Sequence, residues 1–141
     1  MTDDTTPPDP AALIRLMPFA TLIGLQLDAA TPAEVRGRLA WAPERCTAGG
    51  LMHGGALMAL ADSLGGICAY LNLPRDARTA TTNSSSVFLR LVRAGTVTAV
   101  ARPLHAGRTM IVVQTHLTDK DGHLVAQVTQ TQAVLAGPAV S

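Results

Sequence analysis

Hydrophobic and polar positions change rhythm twice along this chain. From Pro10 to about Met17 a short, largely apolar helix is expected behind Asp9-Pro10, a capping side chain followed by proline at the first helical position. Pro18 predicts the end of that helix. Gly24 to Ala30 reads as a strand, and Thr31-Pro32 turns the chain. Ala33 to Trp41 alternates Glu34, Arg36 and Arg38 with Val35, Leu39 and Trp41, a half-buried strand whose pattern Gly37 interrupts. An irregular loop from Pro43 to Met52 leads to a long run, about Gly54 to Leu71, that is apolar nearly all round. Such a helix is buried on most sides. Gly65-Gly66 in its middle costs helix propensity, which points to close approach of another backbone or a ligand.

After Asn72 to Arg78 the rhythm becomes that of strands. Thr79 to Leu91, Thr96 to Leu104, Thr109 to Thr118 and Leu124 to Leu135 are rich in Val, Thr and Ile. Ala94-Gly95, Ala106-Gly107 and Asp121-Gly122 are turns between them. About six strands and one long central helix make an α+β fold, with an antiparallel meander at its C-terminal end. Residues 10–137 form one domain without repeats, and residues 1–9 form a disordered tail.

Composition adds limits. The chain has 141 residues, 48% hydrophobic and 15% charged, with net charge +1. That is enough for one domain with a real core, lean enough in charge to favour self-association, and without the basic balance of a nucleic-acid partner. Cys46 and Cys68 have no metal or redox spacing and read as reduced thiols of a cytoplasmic protein. His105, His116 and His123 lack metal spacing, so no metal is expected. The N-terminus has no basic start or apolar core of a signal peptide. The long apolar run is interrupted by Asp62 and glycines, so no membrane span is expected.

One stretch carries chemistry. His53-Gly54-Gly55 opens the long helix, and Asp62 is the single charge inside it. A carboxylate in an apolar run costs free energy unless exposed or partnered. A glycine-opened helix N-terminus offers free N–H groups and the positive end of a dipole. A developing oxyanion wants those donors, and a water or an acyl carbon wants the carboxylate. Gly54 and Asp62 are eight residues apart, about 12 Å along a helix, and the terminal N–H groups point away from Asp62. One carbonyl reaches both only if two antiparallel helices from two copies meet across a two-fold axis. Ala61-Asp62-Ser63-Leu64-Gly65 imitates a nucleophile elbow, but its serine lies mid-helix rather than after a strand.

These residues resemble the hotdog-fold thioesterases, in particular the PaaI-like branch related to 4-hydroxybenzoyl-CoA thioesterase. The likeness runs from about Phe19 to Leu135. It rests on His53-Gly54-Gly55 with Asp62, on Thr81 to Arg90 as the family's strand ending in Phe-Leu-Arg, and on Gly107-Arg108 and Asp121-Gly122 with Leu124-Val125-Ala126 in the last hairpins. Thr47 stands where the family has Asn or Gln, and Leu91 where it has Pro; Ser84, Ser85 and Ser86 are more polar than the family pattern.

The resemblance implies a six-stranded sheet wrapped around the helix, and hydrolysis of an acyl-CoA thioester with no cofactor beyond the CoA of the substrate. Gly54, with Gly55 nearby, would donate to the thioester oxygen, Asp62 would be nucleophile or general base, and His53 would shape the loop. Thr47, Thr81, Thr82, Asn83 and Ser84 would border the thioester, Thr81 assisting Asp62. Arg90 and Arg108, after Gly107, would hold CoA phosphates, with Arg93 and Arg102 as weaker candidates. A homodimer pairing into a homotetramer is implied. A non-catalytic acyl-CoA-binding protein and a hotdog dehydratase are the alternatives.

Overall fold

The structure is a computed structural model that describes Thr6 and residues 8–137. The disorder expected over residues 1–9 falls mainly on residues 1–5 and 7, which lie outside the described residues. Asp9 caps α1 (Pro10–Arg15) by accepting from the Ala11 N–H at 3.1 Å. Pro18 ends the first helical segment, as expected, and also occupies the first position of a second short helix, α2 (Pro18–Leu22). The same ring that forbids continuation of one helix is pre-set for the start of the next.

β1 (Gln26–Ala30) and β2 (Val35–Ala40) follow, then two single 3-10 turns at Pro43–Arg45 and Ala48–Gly50 inside the expected loop. The long helix, α3, spans Gly54–Leu71. β3 (Arg78–Phe88), β4 (Thr96–Ala106), β5 (Met110–Thr118) and β6 (Leu124–Leu135) complete the chain. All six strands pair antiparallel in one sheet of order β1-β2-β4-β5-β6-β3. This is the hotdog arrangement, with the sheet curved around α3.

The sheet grips α3 through one row of side chains per strand. β2 shows strict alternation, with Val35, Gly37 and Leu39 inward and Arg36 and Arg38 outward. Gly37 therefore belongs to the inward pattern it interrupts on paper. A Cβ there would sit 2.9 Å from Leu64 Cδ1, so the missing side chain is the hollow that Leu64 fills. Leu57, Leu60, Leu64 and Cys68 of α3 meet Val97, Ala99, Val113, Leu117 and Val128 in one buried cluster. By length and mean hydropathy (1.3) α3 could cross a membrane; its apolar side chains are instead spent on this sheet.

β3 lies at one edge of the sheet. It pairs with β6 on one side only and stays exposed over most of its eleven residues. An unpaired edge of that length is an invitation to another strand.

Candidate active site

The α3 N-terminus is shaped by an unusual cap. The loop before it is closed by the Cys46–Met52 bridge and by the His53 N–H donating to the Arg45 carbonyl at 2.8 Å. His53 then folds its imidazole back, and Nδ1 accepts from the Gly55 N–H at 2.7 Å. When neutral, the ring therefore carries its proton on Nε2. Glycine at position 55 lets the imidazole fold this close, since a Cβ there would lie 2.8 Å from His53 Nδ1 and push the ring away. The Gly55 donor is thus occupied, whereas the Gly54 N–H has no partner among the described residues. Of the two glycines, Gly54 is the open donor.

Phe88, at the end of β3, packs beside Gly54. An added Cβ on Gly54 would meet the ring at 3.4 to 3.5 Å. The Met52 N–H bonds to the Val92 carbonyl at 2.8 Å and fixes the segment after β3 beside the same helix end. Phe88 was not among the expected site residues; the aromatic ending of a strand was the visible signal, and only the fold brings it beside Gly54.

Asp62 sits two turns further on, solvent-exposed on the stripe Gly55, Met58, Asp62, Gly66, Tyr70. It has no hydrogen-bond or ion-pair partner among the described residues. The surrounding protein nevertheless desolvates the carboxyl and pushes its pKa above the ordinary carboxylate value. The candidacy of Asp62 rests on its place on the helix, two turns from the open Gly54 N–H and without a partner among the described residues, and the upward shift accompanies that geometry. Ser63 is buried in mid-helix and cannot serve as an elbow nucleophile.

The remaining expected residues divide. Thr47 opens the second 3-10 turn, its N–H donating to the Leu51 carbonyl at 2.8 Å, in the loop that feeds α3. A bulge falls between Thr81 and Asn83. Thr81 and Ser84 pair with the buried Gln132 and Gln130 and share their face, but on this edge strand both remain exposed. Asn83 pairs with Thr131 on the outer face, and Thr82 occupies the bulge, its hydroxyl donating to the Thr131 carbonyl. Within one chain the Thr81 hydroxyl is committed to Gln132 Nε2 at 2.7 Å and makes no bond to Asp62.

Arg90 lies at the Phe88 end of β3. Arg108 lies in the β4–β5 turn beside the opposite end, where the Val134 N–H bonds to Thr109. An eleven-residue strand separates them by roughly 30 Å, so one chain does not bring both to one ligand. Arg102 is engaged by Glu34 at 2.6 Å, and Arg36 binds the same carboxylate. Hydrogen bonding to Arg36 and Arg102 outweighs desolvation and lowers the Glu34 pKa.

Two further polar groups escaped the sequence reading. Gln130 is fully buried under α3, and neither of its amide atoms has a hydrogen-bond partner among the described residues; the Thr115 and Ser86 hydroxyls likewise have no partner among them. At the β5–β6 turn, Asp119, Asp121 and His123 bring ligand atoms within 4.8 Å of one another. Asp119 Oδ1 is already accepting the N–H groups of Asp121 and His123, both at 2.9 Å, which is turn architecture. Cys68 is inert, its thiol pushed up to about 11 by burial.

Comparison with known proteins places this geometry in company. The model of the thioesterase superfamily matches residues 49–126, which include both Gly54 and Asp62. The solved structure of a mutant of thioesterase PA1618 from Pseudomonas aeruginosa superposes with a TM-score of 0.87 at 30% identity, covering 93% of this chain and 96% of that one. Over a shorter stretch of 93 residues, 64% of each chain, the PA1618 sequence is 40% identical. The 1,4-dihydroxy-2-naphthoyl-CoA hydrolase of Escherichia coli is 34% identical over 86 residues, 61% of this chain and 63% of that one. A mutant of the phenylacetic acid degradation protein PaaI from Thermus thermophilus superposes with a TM-score of 0.76 at 26% identity, over 82% of this chain and 97% of that one.

Proposed function

We propose that this chain, which belongs to the thioesterase superfamily and hydrolyses acyl-CoA thioesters, does so at a site shared between two copies. The Gly54 N–H of one protomer binds the thioester oxygen. Asp62 of the other is the nucleophile on the acyl carbon or the general base on water. The observation that carries this reading is the pair of unspent groups on one helix, a free N–H at its first residue and an unpartnered acid eight residues on. They lie about 12 Å apart along the axis, too far for one carbonyl.

Two copies pairing through the open β3 edge, with their α3 helices antiparallel, bring each donor beside the partner's acid. Met58, 43% exposed at the centre of the α3 stripe, is then covered. The dipole and the fixed N–H stabilise the developing oxyanion without reorganisation. Phe88 packs beside Gly54, and the raised Asp62 pKa brings the acid closer to the operating pH, where a base works best. Arg90 and Arg108, which no single chain brings together, take the CoA phosphates. The chemistry calls for no metal or resident cofactor, and the enzyme acts in the cytoplasm as a homodimer that pairs into a tetramer.

Complementation tests the shared site. Gly54→Pro deletes the N–H at a first helical position, where proline is tolerated and where the extended backbone of His53 suits it. Asp62→Asn deletes the acid. Each variant alone is expected to lose turnover, and dimers formed from one copy of each to regain one intact site. Mixed dimers as inactive as either parent would refute the shared site. Turnover by Asp62→Asn at the wild-type rate would refute the role of the acid, and failure of the wild type on every acyl-CoA would favour a binding protein.

A further inference from the structure

We propose that the acyl part of the substrate runs along α3 from Asp62, over Gly66, into the groove between α1 and α3, and that this groove accepts a straight aliphatic chain. The inference rests on Asp62 standing at the thioester. Asp62, Gly66 and Tyr70 follow at four-residue spacing and share one face of the helix. Gly66 is the open floor of that face, since a Cβ there would meet nothing within 4 Å, whereas one on Gly65 would strike the Gln130 amide.

Past Gly66 opens a groove of about 240 Å³ lined by Leu13, Leu16, Met17, Gly66, Ile67 and Tyr70. No charged side chain lines it. Leu16, at the end of α1, is 74% exposed and Tyr70 of α3 56%, so both walls of the groove leave apolar surface open. The hollow at the other end of α3, beside His53 and Gly55, is bordered by Glu44 and Arg45. Burying hydrocarbon there would desolvate charges, so the acyl chain takes the groove built of carbon.

Length follows from geometry. The helix rises about 12 Å from Asp62 to Tyr70. An extended chain advances roughly 1.2 Å per bond, a third of the reach of one amino-acid residue. The groove therefore holds about ten bonds beyond the carbonyl, a medium-chain acyl group, with the Tyr70 ring at its far end.

The experiment measures kcat/KM for butanoyl-, octanoyl-, decanoyl- and tetradecanoyl-CoA with the wild type, Gly66→Leu and Tyr70→Ala, with light scattering on each. The wild type is expected to prefer decanoyl- to butanoyl-CoA. Gly66→Leu fills the path, and the decanoyl-to-butanoyl ratio falls by at least about tenfold. Tyr70→Ala opens the far end and moves the optimum to longer chains. Binding of decanoyl- and butanoyl-CoA to Asp62→Asn, with and without Gly66→Leu, reads the same ratio without turnover.

A wild type that prefers butanoyl-CoA, or a ratio that Gly66→Leu leaves unchanged in both readouts, overturns the assignment. So does dissociation of Gly66→Leu with equal loss at every chain length, which would mean that a second copy fills the groove. Failure of the catalytic reading looks different: Asp62→Asn keeps its turnover while the chain-length pattern still reports on the groove.

Discussion

The two faces of α3 obey opposite demands. On the inner face, Leu57, Leu60, Leu64 and Cys68 are buried against the sheet, and even Gly65 is filled in by the Gln130 side chain. On the outer face lie a lone acid, an open glycine and two partly exposed large side chains, Met58 and Tyr70. The inner face lowers the free energy of the folded chain. The outer face raises it, through desolvation of Asp62 and the helix propensity lost at Gly66. Features that cost stability and could be mutated away one residue at a time persist where activity needs them. The contrast teaches that a helix made for packing alone would show one kind of residue on each side, and this one does not.

Replacing Asp62 by Asn separates the faces most sharply. Turnover is expected to fall by roughly 10²- to 10⁴-fold, the range of a lost acid or base. Stability moves the other way. Desolvation raises the folded-state pKa of Asp62, so the penalty accrues as pH climbs from the ordinary carboxylate value through the raised one, and is fully present above it. The wild type therefore loses some stability over that window, and the Asn variant does not. Thermal melts from pH 4 to 7 read the difference as a Tm at neutral pH equal to or above that of the wild type. A variant that lost Tm along with turnover would show Asp62 holding the fold, and the contrast between the faces would fail.

Leu64→Ala is the inner counterpart. Leu64 is fully buried and occupies the hollow above Gly37. Truncation leaves a cavity and is expected to cost about 2–5 kcal/mol in urea denaturation. Below the transition, the decanoyl-to-butanoyl preference should stay at its wild-type value. A shift in chain-length preference would mean that the inner face takes part in selecting substrate.

How much of this was legible without coordinates depended on how local each cause is. α3 was bounded correctly at Gly54 and Leu71, because the glycines, the histidine and the apolar run are neighbours in sequence. The meander was legible from its glycine turns. In the sequence Pro18 shows itself as a stop and not also as a start, since one ring satisfies both and the apolar residues of α2 are too few to show a period. Gly37 looked like a break because its partner, Leu64, arrives from another element. Phe88 beside Gly54 and Arg102 on Glu34 are meetings of distant strands and helices that spacing cannot express. In sequence the Thr81–Ser84 run looks like one continuous border, and the bulge after Thr81 sends its members to different faces.

The adjacent pair Gly65 and Gly66 tests the contrast at its finest grain. Both glycines weaken the helix by about the same amount in isolation, roughly 0.5–1 kcal/mol relative to alanine. An alanine Cβ at position 65 would run into the side-chain amide of Gln130, which is fully buried. Gly65→Ala is therefore expected to destabilise by about 1–3 kcal/mol, the cost of overpacking. At position 66 the same methyl group meets nothing, so Gly66→Ala should recover the helix term and stabilise by roughly 0.5–1 kcal/mol. Urea midpoints at unchanged slope measure both. Opposite signs from neighbouring residues of one type leave only the face as the cause. Equal signs would mean that Gly66 is as crowded in solution as Gly65, with its side of α3 closed rather than open to a substrate.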